Sequence, residues 1–233
     1  IDTSITSGTN NMSDISVTSL SGTTTLRENA SFVSKDSISK YQVDNYLLFD
    51  PFNDNGTYTS NNSKIPIGRD FADLSNRPII LGNKFTMEVR IYSDQRGGQA
   101  NYYQRILGGG PSLGKLGNPP HYDGKQSPPY IYTVGYGSGL MYGLGTGILN
   151  LSEKVENITT TQKWYHVATS FDGNTFKLFV NGLEVKSSSN FKGEIPVQNP
   201  IKFLGADFLG KMDEVRIWDI ARTQSEIHST MSQ

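Results

Sequence analysis

Cysteine is absent from the 233 residues. That removes a disulfide scaffold, a thiolate zinc site and a cysteine nucleophile together. Basic excess is missing too: 21 Lys and Arg face 22 Asp and Glu, for a formal net charge of −1 and an isoelectric point near 6.3. Nothing in that balance neutralises a phosphate backbone, which argues against a nucleic-acid partner. No apolar run approaches the roughly 18 residues that a spanning helix needs, and mean hydropathy is −0.43, so no membrane insertion is expected. The chain opens at Ile1 with no basic-then-apolar leader, which reads as a processed product or an excised segment. Charge itself is scarce, at 18% of residues against a usual figure of about 25%.

Polarity comes instead from 25 Ser, 19 Thr and 18 Asn. These side chains compete with the helical backbone for hydrogen bonds and favour strands and turns. With 24 Gly, 10 Pro, 12 Tyr and 11 Phe, the composition excludes a helix bundle and points to one all-β domain spanning 1–233. Asn-x-Ser/Thr spellings at Asn11, Asn29, Asn55, Asn61, Asn150 and Asn157 are what chance produces in such a chain.

Residues 1–40 hold 17 Ser or Thr and one aromatic, Phe32; they read as edge strands or an extended arm. Phe85 to Tyr92 alternates cleanly, with Phe85, Met87, Val89 and Ile91 on one face and Thr86, Glu88, Arg90 and Tyr92 on the other, the pattern of a half-buried strand. Trp164 to Phe171 is a second strand that stops at Asp172-Gly173-Asn174. Its return, Phe176 to Val180, ends at Asn181-Gly182, and both stops are hairpin spellings. Val215-Arg216-Ile217-Trp218 is a late strand. Thr223-Gln-Ser-Glu226 spells a capping box for one short C-terminal helix. Short strands joined by turns imply a two-sheet antiparallel sandwich of jelly-roll type.

Between these strands lies a segment of different character. Residues 108–147 hold 12 of the glycines and five of the prolines, and 102–142 hold seven of the tyrosines. The segment reads as a long Gly/Pro/Tyr-rich insertion over 102–147, of the kind that is usually functional.

Lys163-Trp164-Tyr165-His166-Val167-Ala168, Phe171-Asp172-Gly173, Leu178-Phe-Val180-Asn181-Gly182 and Gly210-Lys-Met212-Asp213-Glu214-Val215-Arg216-Ile217-Trp218 resemble the laminin-G-like domains of the concanavalin A-like lectin/glucanase superfamily. Leu48-Phe49-Asp50, Ile65-Pro66 and the Phe85–Tyr92 strand fit the same pattern, so the resemblance runs from about residue 45 to 228. It implies a jelly roll whose concave sheet, with its rim loops, binds glycans. It also implies a structural calcium held by the late-strand Asp213; the alternative is that Asp213 caps backbone N–H groups. The chain departs from the family at Arg90, where a tryptophan is common, and residues 1–40 and 102–147 have no family counterpart.

Glucanases of the superfamily carry a Glu-x-Asp-x-x-Glu strand. None of the glutamates, at 28, 88, 153, 156, 184, 194, 214 and 226, begins that pattern, so no glucanase activity is expected. Adjacent Asp213 and Glu214 point to opposite faces of a strand and make no catalytic pair. A lyase needs a Tyr or His base beside a cation; His121-Tyr122 with Arg105 spell one, although a lone His in a Pro/Gly loop is more often a solvated turn residue. Gly109 to Lys115 spells Gly-x-x-x-x-Gly-Lys, but Leu116 replaces the magnesium-binding Ser/Thr.

Sugar recognition asks for aromatic faces against C–H patches and fixed polar groups against hydroxyls. Tyr130, Tyr132, Tyr136 and Tyr142 in the Gly-spaced insertion are the candidate stacking rings, with Tyr132 and Tyr136 foremost; the alternative is a small core under the loop. Arg90 and Tyr92 on the polar face of the first strand, and Arg105, complete the candidate contacts; the alternative for Arg90 is pairing with its neighbours. Trp164, Trp218, His166, Phe171 and Phe176 read as packing residues. The expected function is a non-catalytic, glycan- or polysaccharide-binding module of a secreted, cell-surface or virion protein. A module docking neighbouring domains is the second reading.

Overall fold

The computed structural model describes residues 12–15, 25–27, 31–36, 43–49, 71–74, 79–94, 104–108, 126–134, 138–194, 196, 198–201, 203–205 and 208–231. In chain order they form β1 (Met12–Ile15), β2 (Thr25–Arg27), β3 (Ser31–Asp36), β4 (Val43–Phe49), β5 (Phe71–Asp73), β6 (Phe85–Ser93), β7 (Gln104–Gly108), β8 (Tyr130–Val134), β9 (Gly139–Gly145), β10 (Asn150–Val155), β11 (Trp164–Phe171), β12 (Phe176–Val180), β13 (Leu183–Ser188), β14 (Phe203–Leu204), β15 (Gly210–Trp218) and helix α1 (Gln224–Thr230).

The strands make two antiparallel sheets. The first has the order β13-β12-β11-β6-β15-β4-β3, with β1 added along β15. The second has the order β10-β9-β8-β7-β14-β5-β2. The alternating strand Phe85–Tyr92 is therefore central, paired with β11 on one side and β15 on the other.

Alternation decides what fills the space between the sheets. Phe85, Met87, Val89 and Ile91 turn inward from β6, Val167 and Phe171 from β11, and Leu178 from β12. Ile131 on β8 and Leu140, Tyr142 and Leu144 on β9 meet them from the second sheet. Phe176 is the hub: its ring lies 5.5 Å from Phe85, 5.4 Å from Phe171, 4.8 Å from Tyr142 and 5.0 Å from Phe191, mostly edge-on. Edge-to-face packing of this kind adds to the burial of each ring. One lateral opening of the sandwich is closed by Glu153 on β10, which accepts from Ser188 Oγ at 2.7 Å and Asn190 Nδ2 at 2.8 Å beside β13.

Both hairpins form where their spellings place them. Asp172 Oδ1 accepts from the backbone N–H groups of Asn174 and Thr175 at 2.8 and 2.7 Å. Asn181 and Gly182 both take positive φ, 50° and 75°, as a two-residue primed turn requires. The capping box also forms, with Glu226 N donating to Thr223 Oγ1 and Thr223 N to Glu226 Oε2.

The 102–147 segment differs from its reading as a loop, because its described residues supply β7, β8 and β9. Glycine explains why. Gly143 lies under Tyr130, and a Cβ there would sit 2.6 Å from the Tyr130 hydroxyl and against the Leu151 carbonyl. The bare strand lets the tyrosine lie across it, so these glycines thin a sheet rather than loosen a loop. Replacing Phe176 by alanine is expected to cost about 3–5 kcal/mol, read from the midpoint of urea unfolding at unchanged slope.

Candidate functional site

The outer face of the first sheet carries most of the described polar chemistry. Reading across β11, β6 and β15, the rows are Ser170–Thr86–Trp218, Ala168–Glu88–Arg216, His166–Arg90–Asp213 and Trp164–Tyr92–Lys211. Helix α1 lies over the lower rows, with Ile227 packed on Ala168 and Phe179.

Glu88 is fully buried beneath it. Its Oε1 is bound by Arg222 Nη1 and its Oε2 by His166 Nε2 at 3.2 Å. Arg222 lies over the Trp218 ring at 4.1 Å and also donates to the Glu226 carbonyl at 2.6 Å and to Thr230 Oγ1 at 2.9 Å. Arg216 Nη1 donates to the Thr230 carbonyl at 2.7 Å and Arg90 Nη2 to the Met231 carbonyl at 2.9 Å. Two guanidinium groups, those of Arg216 and Arg90, thus donate to carbonyls at the C-terminal end of α1, which are left without helical partners and carry partial negative charge.

Past Met231 the face emerges. Tyr92, Trp164 and Lys211 are each partly exposed. The Tyr92 and Trp164 rings are 5.6 Å apart, and Lys211 Nζ lies 4.7 Å from the Tyr92 centroid. At the foot of this row is a small pocket lined by Arg90, Trp164, Tyr165, His166, Asn181 and Met231.

The expected contact residues separate into groups. Arg90 and Tyr92 fall on this face, Tyr92 in its exposed row and Arg90 buried under the end of α1. Arg105, Tyr130 and Tyr132 come together on the outer face of the second sheet: Arg105 is opposite Tyr132, and the two tyrosine rings are 4.9 Å apart. Tyr142 points the other way, into the core. The expectation that a loop displays these rings is corrected for Tyr130, Tyr132 and Tyr142. All three lie on strands and have no exposed surface: Tyr142 faces the core, and Tyr130 lies across the bare strand at Gly143. Burial pushes the Tyr130 hydroxyl up to about 12, against the opposing hydrogen bonds of Ser152 and Asn150, and pushes Tyr142 up further. Tyr136, His121 and Tyr122 lie outside the described residues. Trp164 and Lys211 were missed as site residues. Their signal is the register, which sets them beside Tyr92.

Asp213 needs a separate account. The strict alternation expected for Asp213 and Glu214 is broken by a bulge in β15, with Glu214 at φ 51°. Two residues then occupy one ladder position, and the Glu214 carboxylate reaches back to Arg216. Burial raises the Asp213 carboxyl to about 7. The Glu214 charge adds to this, while the Glu214 backbone N–H and the charges of Arg90 and Arg216 oppose it. For calcium the fit is poor. The ion wants six to eight oxygens, whereas Asp213 stands among guanidinium groups, and the described residues gather no group of three His, Asp or Glu. Asp213 fits the capping alternative, since its carboxylate takes the Glu214 N–H.

A family model described as the concanavalin A-like lectin/glucanases superfamily, of laminin-G type, matches residues 68–228. The chain belongs to this laminin-G family. A 78-residue stretch is 35% identical to mouse pappalysin-1 and one of equal length is 33% identical to human pappalysin-1. This laminin-G chain spans 5% of the length of those relatives. Among solved structures, domain 4 of the extracellular arabinanase AbnA from Geobacillus stearothermophilus, in complex with arabinotriose, aligns with a TM-score of 0.58 at 16% identity, over 91% of this chain and 89% of that one. The ligand-binding domain of botulinum neurotoxin D, with N-acetylneuraminic acid, aligns at 0.53 with 13% identity, over 89% and 45%. At these identities the likeness establishes the all-β jelly-roll fold shared with carbohydrate-binding domains.

The raised Asp213 carboxyl has a pH signature. Between about 4 and about 7 the folded state holds a proton that the unfolded state has released, so stability falls as pH rises through that window. Asp213→Asn is expected to flatten this fall, read as unfolding midpoint against pH; an unchanged slope would place the proton elsewhere.

Proposed function

We propose that this laminin-G domain binds carbohydrate without cleaving it, as an extracellular module of a larger secreted, surface or virion protein. The observation that carries the reading is the Tyr92–Trp164 pair with Lys211, set side by side on three adjacent strands at the end of α1. Aromatic faces suit the C–H patches of a sugar ring, and the nearby N–H donors suit its hydroxyls. Solved domains of this fold hold arabinotriose and N-acetylneuraminic acid, which supports the glycan reading. The missing Glu-x-Asp-x-x-Glu pattern supports binding over hydrolysis.

The test is a glycan array run in calcium and again in EDTA. Discrete hits are expected, and capture is expected to survive EDTA because Asp213 offers a divalent ion a poor set of neighbours. Trp164→Ala and Tyr92→Ala are each expected to weaken capture about tenfold, since an aromatic stacking contact contributes about 1–1.5 kcal/mol, with an unchanged circular-dichroism spectrum. A blank array in both buffers overturns the reading.

One observation favours the second reading, a docking module. Ile148 and Leu149, at the β9–β10 turn, are 75% and 46% exposed. Ile148→Asp tests it: loss of association with a neighbouring domain while glycan capture persists would move the function to that turn.

A further inference from the structure

Among the described residues, the pocket at the foot of the Tyr92–Trp164 row contains one polar atom whose chemistry points to a ligand. His166 is 5% exposed, and its Nδ1 has no hydrogen-bond partner. Its other nitrogen is committed: Nε2 lies 3.2 Å from Glu88 Oε2, while Glu88 Oε1 is held by Arg222. A carboxylate so paired is an acceptor, so Nε2 carries a proton toward it, and in the tautomer that this contact selects Nδ1 presents its lone pair. A buried acceptor without a donor is costly, and His166 is one of the residues that line the pocket.

Size selects what enters. The pocket has about 10 Å³ of room, which is about one water-sized group. That admits a hydroxyl and is too small for an acetamido group or a carboxylate. Asn181 stands at the exposed side with its Oδ1 occupied by the His166 backbone N–H at 3.0 Å, so its amide N–H groups face outward as donors.

We propose that this pocket is a hydroxyl subsite: one hydroxyl of a bound sugar donates to His166 Nδ1 while the sugar ring lies on the Tyr92–Trp164 row. His166 is then a specificity-determining residue, selecting the position and configuration of a single hydroxyl. The proposal rests on the glycan reading and adds the group that is read.

The probes are the glycans retained on the array, together with the monodeoxy and mono-O-methyl forms of each at every ring position. At one position, removal of the hydroxyl is expected to lower affinity at least tenfold, and methylation at that position to abolish binding. In His166→Phe the deoxy penalty is expected to vanish, parent and deoxy glycan binding alike. Should His166→Phe fail to fold, ¹⁵N spectra of the wild-type imidazole decide the matter: the Nδ1 resonance is expected to move with the parent glycan and not with the deoxy form. Glycans that bind with no position-specific penalty, or a penalty that persists in His166→Phe, overturn the subsite and leave the binding reading standing. A blank array overturns both.

Discussion

The outer face of the first sheet is organised around a carboxylate that no water reaches. Glu88 is wholly buried, and an isolated charge in that position would be far too costly to keep. It is kept because Arg222 and His166 meet its two oxygens. Truncating either partner of such a pair leaves the other charge uncompensated, which makes the arrangement all-or-none. Arg222 comes from the segment that leads into α1, so satisfying Glu88 docks the helix. With seven residues, α1 is too short to persist alone in water. Its stability is tertiary, from Ile227 on Ala168 and Phe179 and from the Arg90, Arg216 and Arg222 guanidinium groups on the carbonyls of Met231, Thr230 and Glu226.

The site follows from where that helix stops. It covers the rows from Thr86 up to Arg90, and past Met231 the next row, Trp164–Tyr92–Lys211, is left partly exposed. The pairing that buries Glu88 also orients the His166 ring, so the pocket below the row is shaped by the same contact that holds the helix. Tyr92 and Trp164 therefore stand on a bed whose charges are already committed to one another, and their orientation does not depend on a flexible loop.

Much of this was legible in the chain. The alternation of Phe85, Met87, Val89 and Ile91, the spellings Asp172-Gly173-Asn174 and Asn181-Gly182, and the Thr223–Glu226 box are local signals, and the structure realises each locally. The strands of the 102–147 segment were hidden for a physical reason. Leu140, Tyr142 and Leu144 do alternate, but glycines stand among and beside them at Gly139, Gly143 and Gly145, and Gly143 lets Tyr130 lie across the strand. Glycine placed for close approach is spelled the same way as glycine placed for flexibility. The row of Trp164, Tyr92 and Lys211 was hidden differently, because register between residues so distant in the chain is a property of pairing and not of any one strand's pattern. The β15 bulge at Glu214 carries no spelling either, since a non-glycine residue at positive φ is held there by its surroundings.

The two outer faces also show why tyrosine abundance is a poor guide to exposed aromatic surface. On the second sheet, Tyr130 and Tyr132 lie against glycine-bare strand and each other, and the area they bury stabilises the sheet itself. A ring enclosed on all sides has no face left for a ligand, however well its chemistry suits one. On the first sheet, Tyr92 and Trp164 are packed side by side by neighbouring strands, their rings tilted at 57°, and keep part of their surface open. Strands lie about 4.8 Å apart, so the row presents roughly 10 Å of aromatic and cationic surface from the middle of a sheet. Side chains fixed in this way lose little freedom on binding, which is the condition under which a shallow sheet surface can hold a flexible, hydroxyl-rich ligand. How much aromatic surface this sheet leaves open thus depends less on how many aromatics the chain carries than on where the covering helix ends.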